Sequence, residues 1–557
     1  MNRRQILFKS LAFIFLSSNS LKKISISISI LLIGYQKNSN EIYVDSFGAI
    51  GNGVADDTLA LQNAFDHAHK HKSKVINFSE NRNYRITKTI NIVSNIIIEG
   101  KSSSIILDKK FHDKNFRHYP IFLSSFKRNI IIRNIVFICY SSIAYGIIIR
   151  SSSNVKIVSS KAIGASLLYS GASLNLQYKD ISSLNMCHNI LVLNCYGLAY
   201  KDLSSNDLSL DGCVHFTYTD GFSAIKNHIS GYRHGISWWG GDAHHLRDGA
   251  LSNQRKCVSG LIEKNNLNNI KGGGIWGSMG QKINIISNNI SNCGDVGIDS
   301  EGSFSIFIHN NVVKNCTNGC ITTFYFNKSI SIFENVVSSD IPGQYLFKIY
   351  NAAQTFDNKN ITVKKNVFTY RGKEGNAFLG GDNCETLIVN ENEFFNTAIS
   401  LTGNNNRYIT IANNIIEFNR PIQNSLGFIS VGNTHSNGSL YLIKNEIRML
   451  SQIKTKITVL YIPQSDYNSS ANTFIQGNTI SEFTNIFSLL NMSPNSEIVH
   501  RFYIENNLID QSCFASTKTL DNSYSNNCNI LSRNKKEKIY LLWKNNKFPD
   551  GKIIPID

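Results

Sequence analysis

Asp299 and Glu301 stand two residues apart in the stretch GIDSEGS. On a β-strand both side chains leave the same face, roughly 6 to 7 Å apart along the chain. Two such acids, one with a raised pKa, suit general acid and general base roles. The backbone spacing is nearer that of an inverting glycosidase pair than a retaining one. Three of the four tryptophans, Trp238, Trp239 and Trp276, lie close by, and His234, a third candidate catalytic residue, immediately precedes the strand that carries the first two. Aromatic rings beside paired acids are how sugar rings are gripped and cleaved. The polar stretch GGDAHHLRDGALSNQRKC, from Gly240, carries Asp242, His244, His245, Arg247, Asp248 and Arg255. Its length and polarity predict a wall beside the acids, with Arg247 as a clamp on an acidic sugar. Adjacent histidines point apart on a strand, so no metal site is expected there. Asp295 is a further acid, expected in the preceding turn.

These residues have to be positioned by a repeat that dominates the chain after about residue 125. Its unit is apolar-x-apolar, an Asn pair or relative, then another apolar residue. LIEKNNL at Leu261, NIISNNI at Asn284, IFIHNNV at Ile306 and ISIFENVV at Ile330 are successive copies. The steps Asn266 to Asn289 to Asn311 to Asn335 are 23, 22 and 24 residues. Units of this length, with short alternating strands and an Asn-bearing turn, suit the coils of a parallel β-helix, where stacked Asn side chains satisfy one another. Aligning GISWWGG, GIWGSMG, GIDSEGS and GCITTFY on their first glycine puts Ile236, Ile275, Ile298 and Cys320 inward. Two outward columns result: Ser237, Trp276, Asp299, Ile321 and Trp239, Ser278, Glu301, Thr323. The acids would then form an exposed floor flanked by aromatic platforms, with Trp238 the platform that strand alternation also allows to point inward.

The head of the fold, VDSFGAIGNGVADDTLALQNAFDHAHKH from Val44, closely resembles the opening of the pectate-lyase-like superfamily. Phe47, Gly48, Ala49, Gly51, Gly53, Asp56, Asp57 and Thr58 match that pattern, and Asn52 replaces the usual Asp. The resemblance implies an all-β fold, a right-handed parallel β-helix with an N-terminal capping α-helix, that acts on or binds polysaccharide. Local chemistry agrees. Asp56 or Asp57 can cap the helix, and Leu59, Leu61, Ala64, Phe65 and Ala68 form an apolar stripe. Thr219–Asp220 and His234–Gly235 are similar to parts of the polygalacturonase-type pattern, whose Asp-Asp and Arg-x-Lys this chain lacks. Expected boundaries are a leader at 1–40, the cap at 41–85, coils at 86–510 and a closing segment at 511–557.

The eleven cysteines are odd in number and form no CxxC pair, which argues against a zinc ribbon or disulfide framework. Cys293 and Cys316 lie one repeat apart, as stacked core thiols would. The formal net charge of +17 favours a polyanionic partner, and with no nucleic-acid motif present an acidic polysaccharide is preferred. Arg3 and Arg4, followed by apolar runs Leu11–Leu16 and Ile24–Ile33, resemble a twin-arginine export signal. A periplasmic or extracellular location is expected, with membrane retention by an uncleaved N-terminus left open. The expected function is polysaccharide cleavage, by a glycoside hydrolase first. The alternatives are a lyase on a uronic-acid polymer, with a divalent cation such as calcium, and a non-catalytic protein of exopolysaccharide biosynthesis or binding. No other cofactor is expected, and a monomer is favoured over a trimer.

Overall fold

The computed structural model describes residues 40–108, 119–139, 144–173, 180–199, 212–243, 255–351, 358–382, 384–401, 406–420, 427–432, 434–450, 457–462, 471–482, 487–492, 499–510, 513–514 and 538–554. Within Ile42–Asp557 the repeat folds into the coils of a right-handed parallel β-helix. One coil runs through the strands Cys257–Glu263, Asn266–Asn268 and Ile275–Ser278 before Gly280–Ile286 opens the next. A strand as short as Asn266–Asn268 gains its stability from neighbours. It pairs in parallel with His228–Ser230 on one edge and Asn289–Cys293 on the other. Repetition of this coil builds three long parallel sheets, the largest of eighteen strands.

Register is kept from coil to coil. Ile262, Ile285, Ile308 and Ile332 align in the first sheet, and Leu267, Ile290, Val313 and Val337 in the second. Ile275, Ile298, Ile321 and Phe347 align in the third. All are fully buried, so the three inward columns fill the coil interior with mostly β-branched side chains suited to a pleated surface.

An Asn ladder joins the first sheet to the second. Asn288 accepts at Oδ1 from the main-chain N–H and the Nδ2 of Asn265, at 3.0 and 2.9 Å. Its own Nδ2 donates to Asn311 Oδ1 and to the Ile262 carbonyl, each at 2.9 Å. The residue before each rung sits in the left-handed region, as with Lys264, Ser287, Asn310 and Glu334 at φ 55–56°. That conformation costs a non-glycine residue roughly 1–2 kcal/mol, which the buried amide bonds offset. The rungs are Asn265 and Asn288 rather than the expected Asn266 and Asn289. The left-handed turn aims the residue immediately after it inward, so Asn266 and Asn289 open the next strands and are exposed.

The N-terminal end is covered by helix α1, Thr58–His71, which buries Leu61, Ala64, Phe65 and Ala68. Leu59 departs from the expected stripe. It lies on the opposite side of the helix from Leu61 and is 71% exposed. Asp56 caps by accepting the Thr58 N–H at 3.0 Å, while Asp57 turns back to accept from the Ile50 and Gly51 amides at 2.7 and 3.2 Å. The nine cysteines whose surroundings are described are buried free thiols, and Cys293 lies beside Cys316 in adjacent coils. Among the described residues, no helix is long and apolar enough to cross a membrane.

Candidate functional site

The third sheet carries the site. Its strands Val214–Thr217, Ile236–Trp239, Ile275–Ser278, Val296–Glu301, Gly319–Phe324 and Tyr345–Tyr350 pair in that order. One outward column reads His215, Ser237, Trp276, Asp299, Thr322, Lys348. The next reads Thr217, Trp239, Ser278, Glu301, Phe324, Tyr350. The glycine-based alignment is therefore right through Val296–Glu301 and one residue out at the following strand. There Ile321, not Cys320, continues the inward column, and Thr322 and Phe324 flank the acids. The strand is set by which side chain fills the interior, and its glycine falls one position earlier relative to that side chain than in the preceding coil.

Asp299 and Glu301 share a face as expected, but it is not an exposed floor: they are 1% and 8% exposed. Thr322 Oγ1 donates to Asp299 Oδ1 at 2.5 Å, and Trp276 Nε1 donates to Glu301 Oε1 at 3.2 Å. The two carboxyl groups also hydrogen-bond to each other. They are thus closer than the separation expected from backbone spacing, and the two titrate as a pair. Burial raises the pKa of both. The Asp295 charge adds to the effect on Asp299, and the Asp299 and then the Asp242 charge to that on Glu301. The bonds from Thr322 and Trp276 oppose it. Within the pair a protonated carboxyl donates to the other. Such a pair holds an acid and a base in contact.

Rings gather on one side. His234 stacks with Trp276 at 5.0 Å between centroids, and Trp239 stacks with Trp276 at 5.7 Å. Burial, reinforced by the charges of Arg233 and His215, pushes His234 down to about 3. Its Nδ1 accepts from the Gly273 N–H at 3.1 Å, so the neutral ring carries its proton on Nε2. Trp238 is a correction: it points inward, is 0% exposed and belongs to the core. Its indole lies over Gly277, where an added Cβ would sit 1.9 Å from the ring. Of the three expected platforms, Trp239 and Trp276 are half-buried at the surface, and their faces are partly occupied by one another.

The polar insertion is anchored at both ends beside the acids. Ala243 N donates to Ser278 Oγ at 3.1 Å, and Arg255 Nε donates to the Gly302 carbonyl at 2.7 Å. The Arg255 guanidinium lies 3.8 Å over the Phe304 ring and is buried, so it fastens the loop rather than lining a wall. Asp242 is half-buried and acts on Glu301 through its charge. His244, His245, Arg247 and Asp248 lie outside the described residues. Asp220 is exposed on the first sheet, 3.9 Å from His188. No group of three or more His, Cys, Asp or Glu side chains forms a metal cage among the described residues.

Several neighbours escaped the sequence reading. Thr322 was hidden by the one-residue register error. Tyr325, buried in a small apolar cluster with Ala243, Met279, Val296 and Phe324, lies within the field of both acids. Asp295, which the sequence did offer as a further acid, acts on Asp299 through its charge. His215 Nδ1 lies 2.5 Å from Ser237 Oγ, one strand before Trp276 in the column of Asp299.

No family model matches the chain, and no curated protein does. Among solved structures it is similar to the mannuronan C-5 epimerase AlgE6 A-module of Azotobacter vinelandii, at 12% identity and a TM-score of 0.43, over 82% of this chain and 98% of that one. It is also similar to the Streptococcus pneumoniae surface adhesin PfbA, at 13% identity and a TM-score of 0.44, over 76% and 93%. The α-1,3-glucanase catalytic unit of Streptomyces thermodiastaticus follows at 12% and 0.39, over 86% and 70%. The fold described above rests on the strand pairing of this chain alone.

Proposed function

We propose that the protein is an exported enzyme that hydrolyses a polysaccharide on the outer face of its third sheet, with Glu301 as general acid and Asp299 as general base. The observation that carries this reading is the buried carboxyl pair in mutual hydrogen bond, both pKa values raised. Glu301 Oε1 accepts from Trp276, which leaves Oε2 to hold the proton. Asp299 accepts from both Thr322 and Glu301, bonds that favour its ionised form and oppose the burial that pushes its pKa up to about 8. In the reaction the entering sugar and water part the two carboxyls, and Glu301 gives its proton to the departing glycosidic oxygen. Asp299 takes one from the water whose oxygen bonds to the anomeric carbon. Direct contact between the carboxyls then returns the proton from Asp299 to Glu301 and resets the pair.

Trp239 and Trp276 flank the bound sugars, His234 holds Trp276 in place, and Asp242 helps keep Glu301 protonated. The sequence alone assigns His244, His245 and Arg247 to the wall. The basic balance of the chain favours an acidic polymer. Export rests on the arginine pair and apolar runs of the leader. Products separate the competing readings. Incubation with neutral and uronic-acid polysaccharides should yield new reducing ends without ultraviolet absorbance. An absorbing, unsaturated product would make the protein a lyase, to be tested for dependence on calcium. Retention of a polymer without turnover would make it a binding protein.

A further inference from the structure

Lys348 lies two strands beyond Asp299 in the same outward column, with Thr322 between them. At the spacing of paired strands this is about 10 Å. Its ammonium is half-buried, donates to the neutral Asn318 Oδ1 at 2.6 Å and sits 5.7 Å from the ring centroids of Phe324, Tyr345 and Tyr350. It makes no ion pair among the described residues, although more exposed lysines elsewhere do: Lys264 with Glu263, Lys359 with Glu385 and Lys364 with Glu391. The usual order is reversed. These exposed cations, which water solvates well, have carboxylate partners, and the half-desolvated one has none. Burial accordingly lowers the Lys348 pKa, against the more distant pull of Asp295, Asp382 and Asp299.

We infer that Lys348 is the anion-recognition residue of this site, and that it pairs with a negatively charged substituent on a residue of the polymer neighbouring the bond held at Asp299 and Glu301. This rests on the reading that the outer face of the third sheet receives a polysaccharide. The ring cage supports the ammonium without neutralising it, and Asn318 fixes its direction. One donor position is used by Asn318, which leaves the others for a carboxylate, sulfate or phosphate oxygen. Lys348 would therefore set selectivity for charged over neutral polymer and take no part in proton transfer.

The test uses the full chain, with Lys348→Met and Lys348→Arg. The probes are oligogalacturonate, the same oligosaccharide with its carboxyls reduced to alcohols, and a sulfated oligosaccharide, each titrated by calorimetry at two salt concentrations. Lys348→Met should lose roughly 10- to 100-fold in affinity for at least one charged probe, change little for the reduced one, and show a weaker salt dependence. Lys348→Arg should recover part of the loss. Whether the carboxylated or the sulfated probe responds identifies the anion. Equal losses on charged and reduced probes would mark Lys348 as structural and overturn the inference, as would wild-type protein that prefers neither charged probe to the reduced one. Lys348-dependent binding without cleavage would keep the inference and remove the hydrolytic reading. Cleavage indifferent to Lys348→Met would do the reverse.

Discussion

Replacing both members of the carboxyl pair, Asp299→Asn with Glu301→Gln, should change how stability depends on pH. A carboxyl whose folded pKa lies above its unfolded value binds its proton more tightly in the fold. Its contribution is complete below the unfolded value and declines as pH rises through the folded one. For Asp299 that window runs from the ordinary 3.8 up to about 8, and Glu301 is displaced in the same direction. At 1.36 kcal/mol per unit, the Asp299 displacement alone corresponds to on the order of 5 kcal/mol across the window. A chain of this length unfolds with an entropy of about 1 kcal/mol per degree, so the melting temperature of the wild type should fall by about 5 °C between pH 4 and pH 9 from this group. The two amides reproduce the protonated pair. The amide oxygen at position 301 still accepts from Trp276, and its nitrogen donates to the amide at position 299, yet neither group ionises. Calorimetric melts at pH 4 to 9 should show the double variant losing less stability with pH and overtaking the wild type above neutrality. A wild type whose stability rises with pH, or a double variant that melts lower than it at pH 9, would refute the buried shared-proton pair.

Trp276→Phe keeps a ring beside His234 and Trp239 but removes the Nε1 bond that stabilises ionised Glu301. The basic limb of the pH–rate profile should therefore move to higher pH, and an unmoved limb would detach Trp276 from Glu301. Gly277→Ala drives a methyl group into the Trp238 indole and should cost about 1–3 kcal/mol, read as a lower denaturation midpoint. Asn311→Ala leaves the Asn288 amide, the Asn335 side-chain oxygen and the Ile285 carbonyl short of a partner in the interior. It should cost about 2–5 kcal/mol by equilibrium unfolding.

The fold was legible because coils repeat, and the repeat writes itself into the chain as apolar alternation with an Asn at each corner. Which Asn of a pair forms the rung was not legible, since the choice depends on a left-handed turn residue that Lys264, Ser287 and Asn310 occupy without any glycine signal. Leu59 is a different case: two residues from Leu61 on a helix is about 200° of rotation, which puts it on the opposite, exposed side. At the site, the i, i+2 spacing of Asp299 and Glu301 told which face they share. Their burial depends on packing around them that no local pattern encodes, and their mutual hydrogen bond depends on that burial in turn. Thr322 required the register of one further strand. Lys348 is a single charge in a stretch where the sequence offered no candidate site residue, and only strand pairing puts it in line with Asp299.

The central claim is that bond cleavage runs through Asp299 and Glu301. It is tested most directly by single-turnover cleavage of one polymer by the wild type and by Glu301→Gln, with polymer binding measured in parallel. The account expects the rate to fall roughly 10²- to 10⁴-fold with binding retained, the loss typical of removing a positioned proton donor. Equal rates in the two proteins would contradict it.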